Sequence, residues 1–353
     1  MSFNRLRRAL VATGLAAAVA GTTLVPSTAA APVATPVAKN LFSPLSVAVG
    51  GDGTLYYTEN FAGNLWMKKP GKPRKVLYSA PEAEVGGVSV EGMTVYFIRN
   101  AKVMKKVGSN RAKLLADLGA YEAARNPDKD VRYGAVGLSP ECADSWPTGE
   151  GSLPLSYTGI VESHPYATAV HKGVVYVADA AANAVFRIRD GKVSTTVLLP
   201  AVPVKITPEV AEEAGLPDCA IGATYRFEGV PTDVEVHDRK LYISGLPGGP
   251  EDGTAPGSVY RYDLVKKTRK KILTDLVAAT GVGVGPDGSV YVSELFAGKV
   301  TRLSPTGHRS TFRRMVLPAA VEVARGRLWV TENVLSGFEP GEAPAGKVVR
   351  YTR

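Results

Sequence analysis

Thr280-Gly281-Val282-Gly283-Val284-Gly285-Pro286-Asp287-Gly288-Ser289-Val290-Tyr291-Val292-Ser293-Glu294 decides the fold. Two short alternating runs flank Gly285-Pro286-Asp287-Gly288, which has hairpin-turn chemistry, and the second run carries an aromatic at its middle. Ser46-Val47-Ala48-Val49 with Leu55-Tyr56-Tyr57-Thr58-Glu59, and Ala320-Val321-Glu322-Val323 with Leu328-Trp329-Val330-Thr331-Glu332, are clear further copies. Weaker copies place the aromatic at Tyr96, Tyr176 and Tyr242. Repeats spaced by about 40 residues imply radial or solenoid stacking. Antiparallel hairpins select the radial form, an all-β, six-bladed β-propeller.

Counting strands a to d outward from the axis, blade one runs from Leu45 to Tyr78, blade two starts near Gly87 and blade three near Ala167. Blade four runs from Asp233 to Thr274, blade five from Thr280 to Phe312, and blade six has only three strands between Ala320 and Thr352. The missing outer strand is expected from the other terminus. Pro36 to Val47 reads like Lys271 to Val282, an outer strand leading into the next inner one. The N-terminal segment should therefore close the ring on blade six and remove an exposed sheet edge, and Pro36 suits an edge strand.

Strand polarity then sorts the loops. The d-to-a and b-to-c loops share one face, the top, and the tight a-to-b and c-to-d turns share the bottom. The longest insertions, around Leu115–Pro165 and Leu199–Val230, and the loops Gly245–Gly257 and Asn333–Gly346, all fall on top. They read as a lid or wall around a central funnel, against the plainer reading that they cover blade ends. Helical periodicity marks Leu115–Arg125, and Thr207 with Gly215 brackets a second short helix at Pro208–Ala214. Cys142 and Cys219, the only cysteines, lie one on each of the two longest insertions and are expected to form a disulfide rather than a thiol metal site, because no further Cys or His stands at ligand spacing.

At 353 residues, with 45% hydrophobic and 21% charged, the chain can bury a large core. Arg5, Arg7 and Arg8 before an apolar run from Ala9 to Ala20, then Ser27-Thr28-Ala29-Ala30-Ala31, read as a cleavable export signal over residues 1–30, with a single propeller domain over 31–353. The apolar run is shorter than the roughly 20 residues a membrane span needs. Arg7-Arg8 leaves the twin-arginine and general export routes both open. The expectation is a secreted monomer, basic at +9 over the full sequence and still basic once the three leader arginines, Arg5, Arg7 and Arg8, are removed. Lysines and arginines gather in the bottom turns, among them Lys68, Lys69, Lys105, Lys106, Lys266 and Lys270, where they serve either as solvated charge or as a weak dock for anionic cell-wall polymer. Nucleic acid is not an expected partner, since no aromatic-basic interleaving is present.

Candidate site residues follow from the ring. Glu59, Asp179, Glu294 and Glu332 occupy equivalent ends of b strands, and Asp233 stands near the top of an inner strand where other blades have Ser46, Gly87, Ala167, Gly281 and Ala320. Five carboxylates around one axis offer oxygen ligands to calcium. The alternative is that strand-end acids accept hydrogen bonds from neighbouring amides. His171, His237 and His308 belong to bottom turns, so His164, beside Tyr166, is the one imidazole placed to act at the top. A funnel site would use His164, Tyr166, Thr232 and Asp233. No nucleophile elbow, phosphate loop or zinc motif occurs.

Val230-Pro231-Thr232-Asp233-Val234, the hairpin ending at Glu294, Leu114-Leu115-Ala116-Asp117-Leu118-Gly119-Ala120-Tyr121-Glu122 with Asn126-Pro127-Asp128, and Ser163-His164-Pro165-Tyr166 together resemble the ScyD/ScyE family of bacterial secreted proteins, within the wider NHL and SMP-30-like propellers. The likeness spans nearly all the chain after the leader, and its most specific part is the insertion. His164 departs from the Asn that the family pattern has before Pro-Tyr. The resemblance implies a secreted propeller without an assigned activity. SMP-30-like lactonases hold a divalent cation at the axis with acids and amides from several inner strands, where this chain has mostly Ser, Gly and Ala. The leading expectation is thus binding of a small molecule or extracellular partner at the top funnel without catalysis. The alternatives are a calcium-dependent lactonase-like hydrolase and a cell-wall-associated scaffold.

Overall fold

Period-two alternation of apolar and polar residues, interrupted by Gly, Asn and Asp turns, sets almost every element of the chain. A computed structural model describes residues 32–249 and 255–352; the expected leader lies outside the described residues, as do Glu251 and Asp252 of the top loops. Six four-stranded antiparallel sheets form the blades, and a seventh four-stranded sheet stands apart from them. Blade one comprises Val47–Val49, Leu55–Glu59, Asn64–Lys68 and Lys75–Ser79, and blade two Val85–Glu91, Thr94–Arg99, Lys102–Val107 and Lys113–Asp117. Blade three is Pro165–His171, Val174–Asp179, Ala184–Arg189 and Lys192–Leu198. Blade four is Gly229–His237, Lys240–Pro247, Gly257–Asp263 and Thr268–Leu276, and blade five Ala279–Val284, Val290–Glu294, Lys299–Leu303 and Arg309–Arg314.

Blade six takes Val321–Ala324, Arg327–Glu332 and Gly346–Thr352, and its fourth strand is Ala34–Leu41, antiparallel to Gly346–Thr352 with Pro36 opposite Val349. The ring is closed as the sequence indicates. Each seam between neighbouring blades holds its own apolar cluster, and the aromatic of every b strand sits in one: Tyr56 between blades one and two, Tyr96 between two and three, Tyr176 between three and four, Tyr242 between four and five, Tyr291 between five and six, and Trp329 between six and one. The repeated aromatic is therefore the seam filler of the propeller, and burying such a ring contributes on the order of 2 to 3 kcal/mol.

The insertions depart from the sequence reading. Helix α1 covers Leu118–Arg125, because Leu115 and Ala116 are still in the outer strand of blade two and the Asp117 carboxylate caps the helix by accepting from Ala120 N–H at 3.0 Å. Helix α2 is Pro140–Asp144, capped by Ser139, and α3 is Pro208–Ala214, with Thr207 and Gly215 at its ends as expected. Between the helices, each insertion contributes two strands. Ser156–Thr158, Arg132–Val136, Thr224–Phe227 and Val202–Lys205 pair in that order, so the two insertions share one sheet. Cys142 and Cys219 are disulfide-bonded across it. Trp146, Ile206, Val210, Tyr225, Phe227 and, from the blade-four top loop, Ala255 form a separate small core beneath. The wall is a folded cap with its own core. Among the described residues no helix is long and apolar enough to cross a membrane.

Candidate functional site

The inner strands are laced together by side chains. Val88 N–H donates to Ser46 Oγ at 2.8 Å, Thr168 Oγ1 donates to the Gly87 carbonyl at 2.7 Å, and Val282 N–H donates to Asp233 Oδ2 at 2.8 Å. Gly281 takes the same level in blade five because a side chain there would meet the Ala319 carbonyl at 2.3 Å. Thr232 is buried and donates to the Ala279 carbonyl at 2.8 Å. Thr232 and Asp233, expected in a funnel site, thus act as clasps between blades four and five. The second oxygen of Asp233 accepts its neighbour Val234 N–H at 2.8 Å.

One level further down the channel, each inner strand places a residue opposite the b-strand aromatic. Ala48 faces Tyr56, Ser89 faces Tyr96, Ala169 faces Tyr176 and Gly283 faces Tyr291, but Glu235 faces Tyr242 and Glu322 faces Trp329. Glu235 and Glu322 therefore flank the side-chain-free Gly283 from blades four and six. Each keeps partial exposure to the channel while protein encloses it. Burial, opposed by the two amides it accepts, pushes the Asp233 carboxyl up to about 7. Burial and the nearby Asp233 charge push Glu322 to about 8, and burial with the charges of Glu322 and Asp233 pushes Glu235 well above the ordinary range. Sequence reading singled out Asp233 and missed the two glutamates, although their register opposite the aromatic was visible.

The strand-end acids do not meet. Glu59 Oε1 accepts Phe42 N–H at 2.8 Å and Oε2 accepts the Trp66 indole. Asp179 Oδ1 accepts His164 N–H at 2.8 Å, and Glu294 Oε2 accepts Val277 N–H at 3.0 Å while Oε1 accepts the Thr301 hydroxyl. Glu332 accepts Tyr351 OH and lies 3.9 Å from Lys347 Nζ. Three of the four fasten the loop that enters their own blade, an amide-accepting role. Among the described residues no three of His, Cys, Asp and Glu gather around a point that could hold a metal ion.

At the top mouth, His164 Nε2 lies 2.9 Å from Glu84 Oε2, and Glu84 Oε1 accepts Asn60 Nδ2 at 3.0 Å. The hydrogen bond that His164 donates to Glu84 raises the His164 pKa despite burial. Burial would raise Glu84, but His164 and Asn60 hold it below the ordinary carboxylate value. The Tyr166 ring stacks at 4.9 Å from His164 and is 37% exposed. Across the face, Phe61 and Phe42 pack on Phe338 of the blade-six loop at 5.7 and 4.7 Å, and Phe61 keeps an exposed edge. The mouth therefore offers aromatic edges and the Glu84–His164 pair, above a channel level that carries Glu235 and Glu322.

This architecture defines the class: a six-bladed β-propeller with a folded cap on blade three. Solved structures agree. A catalytically inactive variant of virginiamycin B lyase from Staphylococcus aureus, solved with quinupristin, is similar over 91% of this chain and 99% of its own, with 14% identity and a TM-score of 0.51. Luciferin-regenerating enzyme is similar over 91% and 95%, with 9% identity and a TM-score of 0.55. The PQQ-bound aldose sugar dehydrogenase of Streptomyces coelicolor is similar over 91% and 98%, with 10% identity and a TM-score of 0.53. At such identities the likeness concerns the fold. No protein-family model matches the chain, and no curated protein matches it by sequence.

Proposed function

We propose that this protein is an exported binding propeller of the ScyD/ScyE type, which holds a small polar or cationic molecule at the top mouth of its channel without turning it over. The observation that carries the reading is the carboxylate set Asp233, Glu235 and Glu322, which faces the channel without forming an ion pair among the described residues. A ligand bearing an amine, or several hydroxyls, would supply donors to Glu235 and Glu322, since the oxygens of Asp233 already accept backbone amides, while Tyr166 and Phe61 cover its apolar face. The disulfide-bonded cap fits an oxidising, extracellular setting.

The test is thermal unfolding of the oxidised protein against a panel of amines, amino sugars and neutral sugars. A saturating rise in Tm is expected for one class. Its apparent affinity should fall roughly tenfold or more in Glu235→Gln and Glu322→Gln, the loss of one charged contact each. A rise unaltered in both variants would move the ligand out of the channel and overturn the reading.

A second reading rests on a different feature. A recess of about 420 Å³ on the underside, at the seam of blades six and one, is lined by Pro36, Lys68, Lys69, Trp329 and Arg350. Its charge suits an anionic cell-wall polymer, and retention on purified wall in high salt, beyond simple screening, would favour that scaffold role.

A further inference from the structure

Five of the six side-chain oxygens buried without a hydrogen-bond partner among the described residues belong to four neighbouring residues: Glu122 Oε1 and Oε2, Asn126 Oδ1, Asp128 Oδ1 and Asn183 Oδ1. Leaving such an atom unpaired costs about 1 to 3 kcal/mol, so a concentration of them in one place demands a partner. All five are acceptors. Glu122, Asp128 and Asn183 are 0%, 1% and 1% exposed, so bulk water does not reach them.

The orientation of these oxygens is fixed by what their sister atoms do. Asn126 Nδ2 donates to the Gly159 carbonyl at 2.9 Å, and Asn183 Nδ2 donates to Asp128 Oδ2 at 2.9 Å. Turning either amide over would discard its donor bond, so both Oδ1 atoms stay as they are. Asp128 Oδ2 also accepts Tyr133 OH at 3.0 Å, which leaves Oδ1 as its free oxygen. Gly159 lies against that oxygen, and a side chain there would meet it at 2.0 Å.

Local structure brings the set together. Glu122 lies in the last turn of α1, and Asn126 caps the helix in the left-handed region at φ 36°, with its N–H donating to the Glu122 carbonyl at 2.7 Å. The chain turns back there: Asn126 and Asp128 both meet Gly159, and Asn183 joins them from the b-to-c turn of blade three through its bond to Asp128, so the four residues form one connected cluster. Burial first, then the charges of Asp128 and Asp179, push the Glu122 carboxyl up to about 8. Among the described residues neither Glu122 nor Asp128 has a cationic partner.

We propose that Glu122, Asn126, Asp128 and Asn183 bind a divalent cation, calcium by preference, which ties α1 and the root of the cap to blade three. Carboxylate and amide oxygens with no nitrogen or sulfur ligand suit a hard cation, and calcium completes its six to eight ligands with waters or carbonyls. Magnesium, which holds its waters and demands a strict octahedron, fits such a crowded set less well. Water would serve the oxygens as well, but only a cation would also balance the buried Asp128 charge, which has no cationic partner among the described residues. This site uses none of the strand-end acids or channel carboxylates as ligands, although the Asp179 charge reaches Glu122, and it does not rest on the ligand-binding reading above.

The oxidised protein, stripped with EDTA, is to be titrated with calcium, magnesium and terbium while Tm and tyrosine-sensitised terbium emission are followed; Tyr133 is the nearby antenna. Expected are a saturating rise in Tm with calcium, a weaker one with magnesium, and terbium emission that calcium displaces. In Glu122→Gln and Asp128→Asn, calcium affinity should fall at least tenfold, while Tm in EDTA stays equal to or above that of the parent because each substitution keeps the side-chain shape and adds no charge. That crossover separates a metal ligand from a merely structural hydrogen-bonding residue. Absence of any calcium effect on the parent overturns the proposal. So does a calcium effect that survives in both variants, or one that is lost instead in Asp233→Asn.

Discussion

Among single residues, Glu322 makes the sharpest claim on stability. Its folded pKa of about 8 stands above the ordinary 4.5, so the native state binds its proton more tightly than the unfolded chain does. The favourable contribution is complete below about pH 4.5 and is lost as pH rises through about 8, and Glu235 and Asp233, also raised, act in the same direction. Melting temperature should therefore fall between pH 5 and pH 8. Glu322→Gln should flatten that fall and raise stability at pH 8 by about 2 kcal/mol, allowing for water in the channel, with no gain at pH 5. An identical pH profile for parent and variant would show that the channel solvates the carboxylate fully. His164, raised by its bond to Glu84, acts in the same direction, while the lowered Glu84 changes stability only below its ordinary 4.5, and both effects are damped because the mouth pair is partly exposed. The sequence displayed Glu235 and Glu322 each as one acid in an alternating strand. Their coupling arises only when blade five, with Gly283 between them, closes the gap.

At the level of elements, the N-terminal strand carries most weight. Ala38 and Leu41 are buried in the seam between blades six and one, and the strand covers the edge of Gly346–Thr352. Deleting residues 33–42 would remove both contributions and expose a long unpaired edge. We expect the truncated protein to lose several kcal/mol, given roughly 1.5 to 3 kcal/mol for each large buried apolar side chain together with the lost ladder. Circular dichroism melts and light scattering read the result, and an unchanged Tm without aggregation would mean that the ring does not depend on closure. Helix α1 shows why boundaries are harder to read than elements. Leu115 and Ala116 fit a helical face as well as a strand, and the decision falls to Asp117, whose carboxylate accepts Ala120 N–H three residues on and starts the helix at Leu118.

Over the whole molecule, the propeller was legible because each blade repeats a local pattern, while the cap was not because its pairing is long-range. Arg132–Val136 and Thr224–Phe227 come from different insertions, are short, and carry no turn signal that joins them; Gly134, at φ 102° inside the first, argues against a strand when read alone. The two cysteines were the one sequence trace of this contact. Their bond, spanning 77 residues, is expected to contribute about 4 kcal/mol in the chain-entropy model. The cap has its own core, so that contribution should be local. Reduction, or paired Cys142→Ser and Cys219→Ser substitution, should strip amide-exchange protection from Arg132–Val136 and Thr224–Phe227 and leave Val290–Glu294 in blade five protected. Equal loss across the cap and blade five would show instead that insertions and ring unfold as one unit, with the cap serving as part of the propeller core rather than as an added wall.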